Sequence, residues 1–240
     1  MLWNDIDYNK YELFLIDLWG TIHNGIKPYN GAVEQLQFLK NNGKKVVFLT
    51  NACRTSKGIA KVLDEMGINS VLYDYIVSAG EVFLQDVKNS EYFKNKKAYN
   101  IGNGKIEFYG CKTTDKLEEA EYMAVSGKIY PFKEEYFEAL SFAKNHNLKL
   151  LCLNPDLCSN RGNFFLPVCG FLGLYYEKIG GEVIYYGKPY KRVYEYALEV
   201  AGINDKSKII AIGDNKETDI KGANDFGIAS YQVKTGLNRK

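Results

Sequence analysis

The feature that most constrains this chain is a rhythm near its beginning. A short unbroken apolar run ending in an acid, Leu13-Phe14-Leu15-Ile16-Asp17, gives way to a helix-like stretch and then to a second run, Lys45-Val46-Val47-Phe48-Leu49-Thr50. A half-wet strand alternates apolar and polar residues, whereas an unbroken run suits a strand buried on both faces, as in a parallel sheet. Between the runs, Val33, Leu36 and Leu39 recur at helical spacing from Gly31 until Asn42-Gly43 stops them. After the second run, Thr55 or Ser56 can cap a helix through Ile59, Val62, Leu63 and Met66, with Gly67 at its end. Strand–helix–strand–helix alternation predicts parallel α/β structure with right-handed crossovers.

The last quarter repeats the rhythm. Val183-Ile184-Tyr185-Tyr186 reads as a strand, residues 190–200 as a helix, and Lys208-Ile209-Ile210-Ala211-Ile212 as another strand. A helix from about Thr218 and a strand over 228–233 complete it. The middle differs. Short strand-like pieces at 98–101, 106–109 and 122–126 sit among polar turns, with one amphipathic helix over 134–144 and a strand over 148–153. The expected organisation is a core of 1–79 and 181–240 interrupted by an inserted domain, 80–180.

Composition narrows the function. In 240 residues, 46% hydrophobic and 25% charged is globular usage, which excludes wholesale disorder. A net charge of +2 argues against nucleic-acid binding by bulk electrostatics. The apolar uncharged stretch at 162–176 is too short to span a bilayer and contains Pro167. Residues 1–12 carry Asp5, Asp7 and Glu12 and lack the apolar centre of a secretory signal. Five cysteines without a C-x-x-C pair read as reduced thiols, mostly in the core. The expectation is a soluble cytoplasmic protein with no nucleic-acid or membrane partner.

Asp17, Thr50, Lys188 and Asp214 fall at or just beyond the C-terminal ends of expected core strands, with Asp219 a little further on. In an open parallel sheet those ends share one edge, where ligands bind. Carboxylates suit Mg²⁺, a hard cation that prefers oxygen ligands. A lysine and a hydroxyl beside them suit a phosphoryl group, and an aspartate can serve as a nucleophile.

Asp17-Leu18-Trp19-Gly20-Thr21, Phe48-Leu49-Thr50-Asn51, Tyr186-Gly187-Lys188-Pro189 and Gly213-Asp214-Asn215-Lys216-Glu217-Thr218-Asp219 resemble, in that order, the four motifs of the haloacid dehalogenase-like superfamily. The branch resembled is subfamily IIA, with its nitrophenylphosphatases and sugar-phosphate phosphatases; Asn154-Pro155-Asp156 and the run from Gly180 into Gly187-Lys188-Pro189 match it too. The resemblance implies a Rossmann-like parallel-sheet core with an α/β cap inserted between the second and third motifs. It also implies a Mg²⁺-dependent phosphohydrolase that forms an aspartyl-phosphate on a small phosphorylated metabolite. Carried over, Asp17 is nucleophile and Mg²⁺ ligand, and Thr50 and the Asn51 backbone hold the phosphoryl group. Lys188 neutralises charge on both; the Trp19 carbonyl and Asp214 bind Mg²⁺, and Asp219 supports the metal from behind. A homodimer formed cap to cap is compatible with this branch.

One position departs from the pattern. Phosphatases of this superfamily usually carry a second aspartate, the general acid and base, where this chain has Trp19. An indole exchanges no proton at neutral pH, so turnover of poor leaving groups is expected to be slow. His23 is weighed as a substitute acid against a loop histidine that merely packs nearby. Asp214 and Asp219 could also serve as helix-terminal acids, and His146 as a C-terminal cap. Cys53 has no evident base partner and reads as a small packing residue. Two rival readings stand beside the phosphatase. One is a metal-independent dehalogenase, which would need its cap between the first and second motifs, where only 33 residues lie. The other is a catalytically weakened relative that binds a phosphorylated ligand.

Overall fold

The computed structural model describes residues 3–161 and 164–238. Parts of the stretches 1–12, 162–176 and 181–240 discussed above thus lie outside the described residues. Two five-stranded sheets, every strand pair in them parallel, organise the chain. The first has the order β12-β11-β1-β2-β3. Its strands are β1 (Leu13–Ile16), β2 (Lys45–Thr50), β3 (Tyr75–Ser78), β11 (Ile209–Gly213) and β12 (Ala229–Gln232). The second has the order β10-β7-β6-β4-β5, built from β4 (Lys97–Ile101), β5 (Lys112–Thr113), β6 (Tyr122–Val125), β7 (Leu150–Cys152) and β10 (Val183–Tyr185). All of this second sheet lies in sequence between β3 and β11, so it is an insertion into the first. A hairpin, β8 (Cys158–Arg161) with β9 (Phe164–Pro167), completes the strands.

The unbroken apolar runs are explained by what covers the first sheet. Alternate residues of each strand face opposite ways. Phe14, Ile16, Val46, Phe48 and Ile212 pack with Leu36 and Leu39 of α1 (Ala32–Asn41) and Ile59 and Leu63 of α2 (Ser56–Glu65). Leu13, Leu15, Val47, Leu49 and Ala211 face the other way. They meet Val82 and Phe83 of α3 (Ala79–Asn89), Val193 and Tyr194 of α7 (Lys191–Ala201), and Phe226 of α8 (Lys221–Phe226). This second layer continues into the insertion through Phe93 of α4 (Glu91–Asn95), Tyr122, Leu151 and Tyr186. The far face of the inserted sheet carries α5 (Glu134–Asn145) and α6 (Cys169–Lys178).

Three expectations are corrected. The strand at 183–185 joins the inserted sheet, with Val183 opposite Leu150, although a core beginning at 181 had been expected to include it. An apolar run is equally content in either parallel sheet, so pattern alone does not choose its partner. The first sheet gains instead β3, and the chain passes directly into α3 across the expected boundary at 80. Residues 106–109 form a 3₁₀ turn rather than a strand; only Ile106 is buried there, while Phe108 is 80% exposed. His146 does end α5, its ring Nδ1–H donating to the Phe142 carbonyl at 2.8 Å. Among the described residues, no helix is long and apolar enough to cross a membrane.

Candidate active site

Because β1, β2 and β11 run parallel, their C-terminal ends deliver Asp17, Thr50 and Asp214 to one edge. Lys188 arrives by another route. It follows β10 of the inserted sheet, not a core strand, and lies where the chain returns to the core. Asn51 fixes it there from both sides: Lys188 N–H donates to Asn51 Oδ1 at 2.6 Å, and Asn51 Nδ2 donates to the Lys188 carbonyl at 3.0 Å. The Asn51 side chain therefore clamps the Lys188 main chain. The lysine Nζ donates to Asp17 Oδ1 (2.7 Å) and the Leu49 carbonyl (2.6 Å), and pairs with Asp219 Oδ1 at 2.6 Å. All four charged groups are at most 6% exposed.

The sequence around them makes room. A Cβ at Gly20, whose φ is +97°, would stand 2.3 Å from Asp214 Oδ2; one at Gly213 would stand 2.1 Å from Asp219 Cγ. Asp214 Oδ2 accepts from the Leu237 N–H at 2.7 Å. Asp219 sits in a π-helical turn, Lys216–Ile220, and its Oδ2 accepts from the Asn215 N–H at 3.0 Å. Both Asp219 oxygens are thus engaged, which suits a supporting role better than a ligand's.

One lysine faces several buried carboxylates, and their protonation reflects it. Burial lifts Asp17 above its ordinary value despite Lys188, lifts Asp214 to about 8 and lifts Asp219 to about 6. Burial alone would lower Lys188, but Asp17, Asp219 and Asp156 outweigh it and raise it. Asp17, Asp214 and Asp219 each place a carboxylate oxygen within 4.8 Å of the others, and Asp17 Oδ2 is buried with no hydrogen-bond partner. An excess of buried negative charge around an orphaned oxygen fits a hard divalent cation.

These groups line a cavity of about 160 Å³ together with Trp19, Thr50, Asn154, Asp156 and Ser159. Asp156 entered the sequence reading only through the Asn154-Pro155-Asp156 match, with no role assigned to its side chain. The structure places its carboxylate in the cavity, accepting from Asn215 Nδ2 at 3.3 Å, with burial raising it to about 6. The hairpin residues Cys158 and Ser159, also on the wall, gave no signal in the sequence.

Residues 14–111 match the model of the haloacid dehalogenase-like hydrolases, and residues 185–240 match a second model, described as HAD-hydrolase-like. The chain belongs to the haloacid dehalogenase-like hydrolases. An acid sugar phosphatase of Staphylococcus epidermidis is 28% identical over 95% of this chain and 88% of its own length. The 5'-nucleotidase YutF of Bacillus subtilis is 28% identical over 96% and 90%. The crystal structure of a haloacid dehalogenase-like hydrolase from Brucella suis superposes with a TM-score of 0.87 at 27% identity, covering 96% of this chain and 91% of that one.

Two residues need comment in a haloacid dehalogenase-like chain. Trp19 turns its indole over Gly25, where an added Cβ would lie 2.3 Å from Trp19 Cζ2, and meets the His23 ring edge-on at 5.3 Å. His23 is 4% exposed, is absent from the cavity wall, and accepts the Gly25 N–H on Nδ1 at 3.1 Å. Burial lowers it to about 4, so near neutrality it is an uncharged imidazole with no acidic proton to give. Of the two readings weighed for His23, its burial and its place off the cavity wall favour the packed loop histidine over the substitute acid.

Proposed function

We propose that this phosphomonoester hydrolase moves the phosphoryl group of a small phosphorylated metabolite to Asp17 and then to water. In the first step a carboxylate oxygen of Asp17 bonds to phosphorus as the ester oxygen leaves. In the second, water attacks the phosphorus of the aspartyl-phosphate and returns the carboxylate. Lys188, fixed between Asp17 and Asp219, offsets negative charge on nucleophile and phosphoryl oxygens. Thr50 and the Asn51 main chain stand at the adjacent strand end to receive the phosphoryl group. Mg²⁺ would be held by Asp17, Asp214 and the Trp19 carbonyl, with Asp219 behind, and would supply charge neutralisation on the transferring group.

The observation that carries this reading is Asp17 itself. One oxygen is tied to Lys188, and the other is buried without a hydrogen bond. The small cavity favours a compact substrate. Relatives named for sugar phosphates and for nucleotides support a soluble phosphorylated metabolite, in the cytoplasm. The dehalogenase alternative is disfavoured because α1 is the only helix between the first two motifs.

Phosphate release from nitrophenyl phosphate, measured with Mg²⁺ and with EDTA, tests the reading. Release should need Mg²⁺, return when it is restored, and vanish in Asp17→Asn. Undiminished release in EDTA would overturn the metal-dependent mechanism. A wild type that binds phosphate but releases none would make this a binding protein, the outcome Trp19 favours.

A further inference from the structure

The segment that follows β12 folds back onto the loops that carry Asp214 and Trp19. Val233 N–H donates to the Gly213 carbonyl at 2.9 Å and Gln232 Nε2 to the Asp214 carbonyl at 3.1 Å, so the main chain around Asp214 is held along its length. Two more donors come from just beyond. The Leu237 N–H reaches Asp214 Oδ2, and Thr235 Oγ1 donates to the Gly20 carbonyl at 2.7 Å, across 215 residues of sequence. Gly20 is held on its other side as well. Its N–H shares a rigid peptide plane with the Trp19 carbonyl and donates to the His23 carbonyl at 2.9 Å.

The three segments meet too closely for a side chain. Gly236 has a φ of +59°, and a Cβ there would stand 2.0 Å from Asp214 Oδ2 and 2.6 Å from Gly20 Cα. The Asp214 carboxylate therefore lies in a slot between Gly20 and Gly236, with the Leu237 N–H fixing its rotation.

We propose that Thr235 and Gly236 are positioning residues for a divalent cation: with the Leu237 N–H, they fix the Asp214 carboxylate against the Trp19–Gly20 peptide and set a geometry that favours Mg²⁺ over Ca²⁺.

This rests on the phosphatase reading, in which Asp214 and the Trp19 carbonyl are ligands. Neither Thr235 nor Gly236 lines the cavity, so both act through the groups they hold. Mg²⁺ demands near-octahedral geometry and gains most from ligands already in place, whereas the larger Ca²⁺ accepts irregular shells. Groups that orient a metal's ligands typically contribute about 10–100-fold in affinity. Loosening the slot should therefore cost Mg²⁺ more than Ca²⁺.

The melting temperature of the full chain, followed against MgCl₂ and separately against CaCl₂, reads binding without turnover. Thr235→Val keeps the shape of the side chain and deletes the donor. Its Mg²⁺ midpoint should rise by about tenfold or more, and its Ca²⁺ midpoint by less. Thr235→Ser, which restores the hydroxyl, should return the Mg²⁺ midpoint to the wild-type value. Gly236→Ala keeps both donors but crowds Asp214, and should raise the Mg²⁺ midpoint too. Melting in EDTA shows whether each variant is folded, and if Thr235→Val is not, Gly236→Ala decides alone. A wild-type Mg²⁺ midpoint in the folded variant would overturn the proposal, as would equal shifts for the two cations or a serine that fails to rescue. A wild type whose melting ignores both cations would remove the metal site itself. A chain that meets every expectation here yet releases no phosphate would count against hydrolysis alone.

Discussion

Trp19 and His23 together set what this site can do with a proton. The indole lies over Gly25, and the imidazole against it is buried, uncharged near neutrality and hydrogen-bonded to the Gly25 N–H. A departing alkoxide therefore takes its proton from water or from the substrate, whereas a phenolate leaves without one. General acid help contributes about 10²–10⁴ in rate. Nitrophenyl phosphate should thus outrun an alkyl phosphate by a factor of that order, measured as kcat/KM over a series of leaving groups. Trp19→Asp should flatten the series, provided a melting curve shows it folded, since Trp19 is 38% exposed and only part of its packing is lost. His23→Gln should leave the slope of the series unchanged; a steeper slope would return the acid's role to His23.

At the scale of elements, the start of α2 shows how a helix end is held from outside. Thr55 occupies the N-cap position yet makes no side-chain cap bond. Glu81, from the first turn of α3, accepts instead from the Ser56 N–H (3.1 Å) and Ser56 Oγ (2.9 Å), and Ser78 Oγ accepts from the Glu81 N–H at 2.9 Å. Glu81→Ala should cost about 1 kcal/mol, and Thr55→Ala much less, as read from urea midpoints at unchanged m-value. The sequence placed the capped helix correctly and could not see its partner. That difference recurs through the fold. β1, β2, β11, α1, α2, α5 and α7 were legible because each carries its own periodicity or apolar run. The sheet to which β10 belongs was not, because a parallel strand looks alike wherever both its faces are covered. α6 was missed because its segment, Cys-Gly-Phe-Leu-Gly-Leu-Tyr-Tyr-Glu-Lys, has apolar residues on every side and two glycines. In the site, Asp17, Thr50 and Asp214 could be read from strand ends. Asp156 was legible only as part of the Asn154-Pro155-Asp156 match, because it follows no core strand and its place in the cavity depends on the fold of the insertion.

At the scale of the molecule, the buried carboxylates make stability depend on pH and metal together. Asp17, Asp214 and Asp219 are all raised, to about 8 for Asp214 and about 6 for Asp219. An unfolded aspartate titrates near about 3.9. Without metal, the folded chain binds more protons than the unfolded one between those limits. The stabilising contribution is therefore complete below about pH 4 and is lost as pH rises toward 8. Mg²⁺ competes with those protons, so the rise in Tm that it produces should be larger at pH 8 than at pH 5, and Asp214→Asn should largely remove it. Equal rises at both pH values would show that the metal displaces no proton from this cluster. The order of strands has a consequence for synthesis as well. β1 lies between β2 and β11 in the first sheet, and roughly two hundred residues separate β1 from β11. At about 5–20 residues per second, the ribosome leaves one edge of β1 without its neighbour for about 10–40 s. In that interval all five strands of the inserted sheet emerge. The guest sheet is ready to assemble while its host is still waiting for two of its five strands, and an unpaired apolar edge of that kind is where a nascent chain needs a chaperone.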